Sequence, residues 1–258
     1  DVKVSVDGHA IVTRHLAILA MTGAGKSWAA RRIIEELAKK SYPIIIFDPH
    51  GDYTGLAEVP ELEDRVQRYY AQFPLFEEDS ETVADIVDGL GYPLTDAMRT
   101  RFSDLYSAAQ SFIIEDPTEM SERTAWLAKL LGREDINTHG VRKDMWLVSH
   151  LANAAEIVLR EKDSEGKSQL ENWGWRGLST YSATDARTFE GIMKRTKRAA
   201  AQLTRMEKTN RRVAKKATPL PADRTALVDY GQISVIALAG YSNAFQATIY
   251  RIIADRIF

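Results

Sequence analysis

Fully apolar runs and helical periodicities alternate along the chain in an order that predicts parallel strands joined by helices. The run Leu16–Leu19 predicts one strand, and Ile44–Phe47, which has no polar alternation, predicts a second strand covered on both faces. Between them, apolar side chains recur at helical spacing and predict a helix from about Lys26 to Lys40. Strand, helix and strand in this order form one βαβ unit of an α/β fold.

The same apolar pattern returns at the end of the sequence. Ile233–Ala239 predicts a further covered strand, and Ala244–Phe258 predicts a final helix. Near the start, alternating residues on either side of Asp7-Gly8 predict a β-hairpin, and Arg65–Phe73 predicts a short edge strand.

The middle of the chain is typical of helices rather than strands. Periodicity, caps and breakers predict helices at 82–90, 95–112, 117–131, 141–160 and 183–216, with a long loop at 161–180. We therefore predict an α/β core built from residues 1–75 and 225–258, with a mostly helical insertion at 76–224 that contains a long basic helix.

A glycine-bearing loop, Thr22–Ser27, separates the first predicted strand from its helix. Glycines allow backbone N–H groups to turn inward around phosphates, and a helix N-terminus adds its positive end. The Lys26 ammonium would contact the β- and γ-phosphates, and the Ser27 hydroxyl would hold Mg²⁺. The strict phosphate-loop pattern has a glycine where this chain has Ala20, but a strand before and a helix after are both predicted. We predict a nucleoside-triphosphate site whose catalytic residues are Lys26 and Ser27.

The segment Asp48–Tyr53 follows the second predicted strand, at the edge of the sheet where ligands bind in open α/β folds. Its residue types also form turns, so a turn and a nucleotide-edge role for Asp48, His50 or Asp52 both stay open. For Trp28, packing against the fold is favoured over stacking on adenine. The predicted cofactor-binding residues are Thr22, Gly23, Ala24, Gly25, Lys26, Ser27, Trp28, Asp48 and His50.

Composition narrows the class of protein further. With 258 residues, 45% of them hydrophobic, the chain can bury a sizeable core. Its formal charge of −2 means that any nucleic-acid surface must be a local patch. Ten Lys and Arg residues between Lys194 and Lys216, with the acids Glu190 and Glu207 in the same helical pattern, offer such a patch or, alternatively, a solvated helix face. The chain has no cysteine and no long apolar run, so we expect a cytoplasmic protein without a membrane partner.

Two motifs together carry a family resemblance. The pattern H-x-A-I-L-x-x-T-G-x-G-K-S from His15, followed by I-I-I-F-D-P-H-G-D-Y up to Tyr53, resembles the HerA family, in the HerA/FtsK branch of RecA-like ATPases. Family members often have Glu where this chain has Asp52. The resemblance implies a RecA-like P-loop NTPase with a three-layer core, ATP and Mg²⁺ as cofactors, a hexamer, and double-stranded DNA as the partner. It also implies a nuclease partner of the NurA type, or a defence effector.

The resemblance also sets expectations about parts of the family that this sequence does not contain. The family's Walker B strand would follow Phe258, so we expect the chain to correspond to the first half of a motor domain that binds nucleotide better than it hydrolyses it. The predicted function is ATP-dependent translocation on double-stranded DNA in DNA end processing or repair. A secretion or conjugation ATPase of the same branch and an ATP-binding regulatory module remain as alternatives.

Overall fold

The computed structural model describes residues 7–13, 16–19, 21, 23–110, 143–160, 178, 183–213 and 217–257. The chain forms two compact units, one comprising residues 1–71 and 216–240, the other residues 72–215 and 241–258. The first unit contains a parallel sheet, and the described elements of the second are helices, which confirms the predicted α/β class. Residues 241–258, which the sequence division assigns to the core, belong to the helical unit.

The sheet has four parallel strands in the order β1-β4-β2-β3. The strands are β1 Ile44–Asp48, β2 Val66–Tyr70, β3 Thr218–Pro219 and β4 Ile233–Ala237. Strand β4 lies between β1 and β2, so Asp48, Ala237 and Tyr70 share one level at the carboxyl ends of their strands. The prediction that β2 is an edge strand is wrong, because β3 pairs with its last two residues. The three longer strands thus end together and define one edge.

The described part of the first unit also contains two helices and three short turns, which precede or follow its strands along the chain. Helix α1 spans Gly8–Thr13 and α2 spans Lys26–Lys39, and short 3₁₀ turns occupy Thr54–Glu58, Glu63–Arg65 and Arg224–Leu227. The core combines α2, three of the strands and the two turns after β1, because apolar residues from each meet in one cluster. Its buried members are Ala38, Ile46, Leu56, Leu62, Val66, Ile233 and Val235.

Two predictions near the start of the chain are wrong. The predicted hairpin at Asp7-Gly8 is instead the start of α1, because the Asp7 carboxylate accepts a hydrogen bond from the His9 amide (2.9 Å) and caps the helix. The predicted strand Leu16–Leu19 lies outside the sheet, and the Leu19 side chain is 91% exposed. An apolar run becomes a strand only where a neighbouring strand accepts its backbone hydrogen bonds, and no described strand pairs with this one.

The second unit confirms most of the predicted helices. These are α3 Ser80–Gly89, α4 Asp96–Gln110, α5 Lys143–Arg160, α6 Ala183–Val213 and α7 Asn243–Ile257. The predicted helix 117–131 and, apart from the buried Leu178, the predicted loop 161–180 fall outside the described residues. Among the helices that are described, none combines the length and apolar character needed to cross a bilayer.

Helix ends and close helix contacts explain why these segments fold as they do. The Asp79 side chain caps α3 by accepting from the Thr82 amide (2.7 Å), and the Thr95 hydroxyl accepts from Met98 (3.4 Å) at the start of α4. Helix α7 approaches α3 so closely that a Cβ added at Gly89 would lie 2.4 Å from the Thr248 Oγ1 atom. A residue with no side chain is therefore required at position 89.

Candidate nucleotide-binding site

The loop before α2 leaves the positive end of this helix uncapped. Gly23 and Gly25 have φ angles of 81° and 80°, a left-handed conformation that glycine adopts without the steric cost of a Cβ. Gly25 is the N-cap residue, so no side chain occupies the amides of the first turn, and this turn contains no acidic residue. Lys26 and Ser27 are exposed at this end. The backbone amides of the helix N-terminus, with the exposed Lys26 in the first turn, favour an anion at this end of α2.

The turn after β1 is built around the Asp48 carboxylate. This residue is fully buried, and its oxygens accept hydrogen bonds from the amides of Gly51 (2.8 Å), Asp52 (3.0 Å) and Tyr53 (3.1 Å). The Asp48 carbonyl also accepts from the Leu238 amide at 2.9 Å, which ties the turn to the segment after β4. Asp48 therefore acts as the scaffold of the turn, since its side chain is already committed to three backbone donors.

This turn brings a second carboxylate to the phosphate loop. The Ser27 hydroxyl donates to the Asp52 Oδ2 atom at 2.7 Å, although the two residues are 25 positions apart in sequence. A hydroxyl whose proton points to a carboxylate has its oxygen lone pairs available for a cation, in the way that outer partners orient the ligands of a metal. Ser27 and Asp52 are both exposed, so a ligand can reach them.

Arg31 fixes α2 against the segment that follows Asp52. Its guanidinium donates to the Gly55 carbonyl (3.4 Å) and forms an ion pair with Glu35 (3.2 Å) one turn further along the helix. In the same segment, partial burial and then the charges of Asp52 and Asp48 raise the pKa of Tyr53. The loop, the first turn of α2 and the Asp48–Tyr53 turn therefore form one connected region.

The residues present fit a magnesium–nucleotide complex. The phosphates would meet the amides around Gly25 and the Lys26 ammonium, and the ion would meet the Ser27 hydroxyl, oriented by Asp52. A Cβ added with ideal geometry at Gly23 or Gly25 would meet nothing within 4 Å, so the loop is open on that side. When bound, the nucleotide supplies the phosphoanhydride bond; the protein residues bind, orient and neutralise charge.

The other predicted site residues occupy different positions. Ala24 and His50 are exposed in their turns, and Thr22 lies outside the described residues. The interpretation of Trp28 as a packing residue is wrong, because its side chain is 72% exposed and points away from the core face of α2. Asp52 is absent from the predicted cofactor-binding set. The signal that identifies it is its place four residues after a buried strand-end aspartate, beyond a glycine with positive φ.

Comparisons with known proteins identify a family for this chain. The family model described as "Helicase HerA, central domain" matches residues 1–257. A probable DNA double-strand break repair helicase HerA of Methanocaldococcus jannaschii is 48% identical over 56 residues, which cover 22% of this chain and 11% of the relative. The DNA double-strand break repair helicase HerA of Pyrococcus furiosus is 36% identical over 89 residues, which cover 34% of this chain and 16% of the relative.

A third relative, the DNA double-strand break repair helicase HerA of Sulfurisphaera tokodaii, is 45% identical over 53 residues, which cover 20% of this chain and 10% of the relative. The chain thus aligns with less than a fifth of each of these relatives. No solved structure matches the chain. Because the family model covers all but the last of its 258 residues, the chain belongs to the family of the HerA helicase central domain.

Proposed function

We propose that this chain binds ATP and Mg²⁺ at the Thr22–Ser27 loop and couples nucleotide turnover in the whole protein to movement on double-stranded DNA. The observation that carries this proposal is the Ser27–Asp52 hydrogen bond, which joins the uncapped end of α2 to the turn after β1. Relatives whose names describe DNA double-strand break repair helicases support the DNA part of the proposal.

Each residue of the site has a separate role in this proposal. Lys26 neutralises charge on the β- and γ-phosphates, and the amides after Gly25 orient them. Ser27 presents a hydroxyl oxygen to the metal, and Asp52 holds that hydroxyl in place. Asp48 acts indirectly, because its carboxylate holds the backbone of the turn that positions Asp52. Water activation and charge neutralisation by an arginine in trans are assigned to groups outside this set.

For the whole protein, we base the proposed assembly on the family resemblance. We propose a hexameric ring in the cytoplasm, with DNA in its pore and a nuclease of the NurA type, or a defence effector, as its partner. In such rings each nucleotide lies next to a neighbouring subunit, whose arginine stabilises transition-state charge with an effect of roughly 10³ to 10⁵ in rate in related phosphoryl-transfer enzymes. This arrangement makes turnover depend on assembly.

The experiment is the ATPase rate of the full-length protein with and without double-stranded DNA, for the wild type and for Lys26→Ala. Lys39→Ala, an exposed lysine at the far end of the same helix, is the matched control. We expect turnover that DNA stimulates, that Lys26→Ala abolishes and that Lys39→Ala preserves. If the protein binds nucleotide in a way that requires Lys26 but does not hydrolyse it with or without DNA, the proposed motor function is contradicted. That result would favour an ATP-binding regulatory module.

A further inference from the structure

Helix α6 presents a straight row of cations on its solvent side. Four of them, spaced at four, seven and three residues, fall on one face of a helix with 3.6 residues per turn. All four side chains are exposed. We call this row the basic stripe, and its members are Lys194, Arg198, Arg205 and Lys208. Its first and last members are 14 residues apart, which corresponds to about 21 Å along the helix axis.

The opposite face of the same helix is buried. It contributes Phe189, Ile192 and Ala199 to the interior of the helical unit, and the acid Glu207 is also buried on that side. Lys194 pairs with Glu190 one turn earlier (2.6 Å), and no described carboxylate forms an ion pair with the other three members.

Two of the exposed positions between the cations carry small side chains. Ala201 and Thr204 lie beside the stripe together with a further exposed cation, Lys197, and Phe189, the aromatic residue in the described part of this helix, is on the buried face. Protein interfaces rely on aromatic anchors that enter pockets on the partner, and single-stranded DNA is held by aromatic stacking platforms. Flexible cations without such anchors suit the phosphate backbone of a duplex, which is contacted by charge and not by base sequence.

We infer that the basic stripe is a contact surface for the phosphate backbone of double-stranded DNA, outside the nucleotide site. The inference rests on the proposed function, since it presumes that the protein works on duplex DNA. Along one strand of B-form DNA, about 21 Å corresponds to about six phosphates, so four cations match one short stretch of backbone. Contacts of this kind give binding that is independent of sequence and steeply dependent on salt.

The test is the salt dependence of DNA binding by the chain, measured by fluorescence anisotropy with a labelled duplex of about 30 base pairs between about 50 and 300 mM NaCl. The stripe variant replaces all four members with Gln. A control variant replaces four exposed cations elsewhere, namely Arg32, Lys39, Lys40 and Arg160, with Gln. A third variant, Arg198→Lys with Arg205→Lys, keeps the stripe's charge, and circular dichroism of each variant verifies its helix content.

We expect the slope of log Kobs against log salt to decrease in magnitude by about 2 to 4 in the stripe variant, because each phosphate contact contributes about 0.9. The control variant and the lysine variant should keep the wild-type slope. Equal slopes for the stripe variant and the wild type, or an equal decrease in slope for the control variant, would overturn the stripe inference alone. An acidic protein would then be the alternative partner of the basic stripe. A wild-type chain that binds no duplex would overturn both the stripe inference and the DNA part of the proposed function.

Discussion

The carboxyl edge of the sheet and the α3–α4–α7 helices both concentrate acidic residues, but they hold them in different ways. At the sheet edge, Asp48 is held by three backbone amides, and this leaves Asp52 at the surface beside Ser27. In the helical unit, carboxylates are held by arginines: Arg99 pairs with Asp85 (2.8 Å) and with two other acids of α3.

The arginines of the helical unit join helix to helix. Asp85 also receives Arg251 from α7 (2.7 Å), and Arg256 pairs with Glu78 and Asp79 at the start of α3 (3.1 Å each). Carboxylates used in this way are satisfied by the fold itself. Acidic residues alone therefore do not indicate a site. The candidate site is indicated by an acid that a hydrogen-bonded turn presents to an uncapped helix end.

Asp48 is the acid whose loss we expect to cost the most stability. Asp48→Ala removes the acceptor of three backbone amides in a buried turn, and we expect it to lower the free energy of unfolding by about 3 kcal/mol. Asp52→Ala, in the same turn but exposed, should change it by less than about 0.5 kcal/mol. Urea unfolding followed by circular dichroism measures both. Similar costs for the two variants would remove the distinction between scaffold and ligand-facing acid.

Gly89 tests whether close backbone approach determines the α3–α7 contact. Gly89→Ala places a Cβ 2.4 Å from the Thr248 Oγ1 atom, so we expect a loss of about 2 kcal/mol in unfolding free energy. Thr248→Ala removes the atom that clashes most and should recover part of the loss when the two substitutions are combined. Thermal unfolding of the four proteins in this cycle gives the coupling. Strictly additive effects would show that the clash is not the cause.

For Asp79, at the start of α3, we expect a smaller and pH-dependent loss of unfolding free energy. Although burial opposes it, hydrogen bonds from Thr82 and the charge of Arg256 lower the pKa of Asp79. Its folded pKa therefore lies below the unfolded value, so its stabilisation is present above about pH 4 and is lost as the pH falls through the folded pKa. We expect Asp79→Ala to cost about 1 kcal/mol at pH 7 and less at pH 3. A cost that does not decrease in acid would exclude the charged cap.

Much of the fold follows from periodicity and turn chemistry alone. The apolar runs at Ile44–Phe47 and Ile233–Ala239 predict strands because covered parallel strands need apolar side chains on both faces. Periodicity cannot decide Leu16–Leu19, because a short apolar run becomes a strand only through a partner. Asp7-Gly8 is ambiguous for a similar reason, since aspartate both begins hairpins and caps helices.

The candidate site is predictable in part. The glycine loop followed by a helix marks Lys26 and Ser27, because that chemistry is local in sequence, even though the strand predicted before the loop does not form. The roles of Asp48 and Asp52 depend on which carboxylate enters the turn and which one reaches Ser27, and this is settled by tertiary packing. Residue types at the sheet edge leave that choice open. Exposure likewise separates Trp28 from the core, which is the opposite of the packing role predicted for it.

We propose that the Ser27–Asp52 pair forms the metal end of a nucleotide site. The direct measurement is the affinity of the chain for ATP by calorimetry, in excess Mg²⁺ and in EDTA, for the wild type, Asp52→Asn and the exposed control Asp64→Asn. We predict that Asp52→Asn reduces the gain in affinity from Mg²⁺ by about tenfold and leaves the affinity in EDTA unchanged, as expected for a residue that orients a metal ligand. The Asp64→Asn control should match the wild type in both conditions. If Mg²⁺ increased the ATP affinity of Asp52→Asn as much as it increases that of the wild type, Asp52 would have no role in orienting a metal ligand.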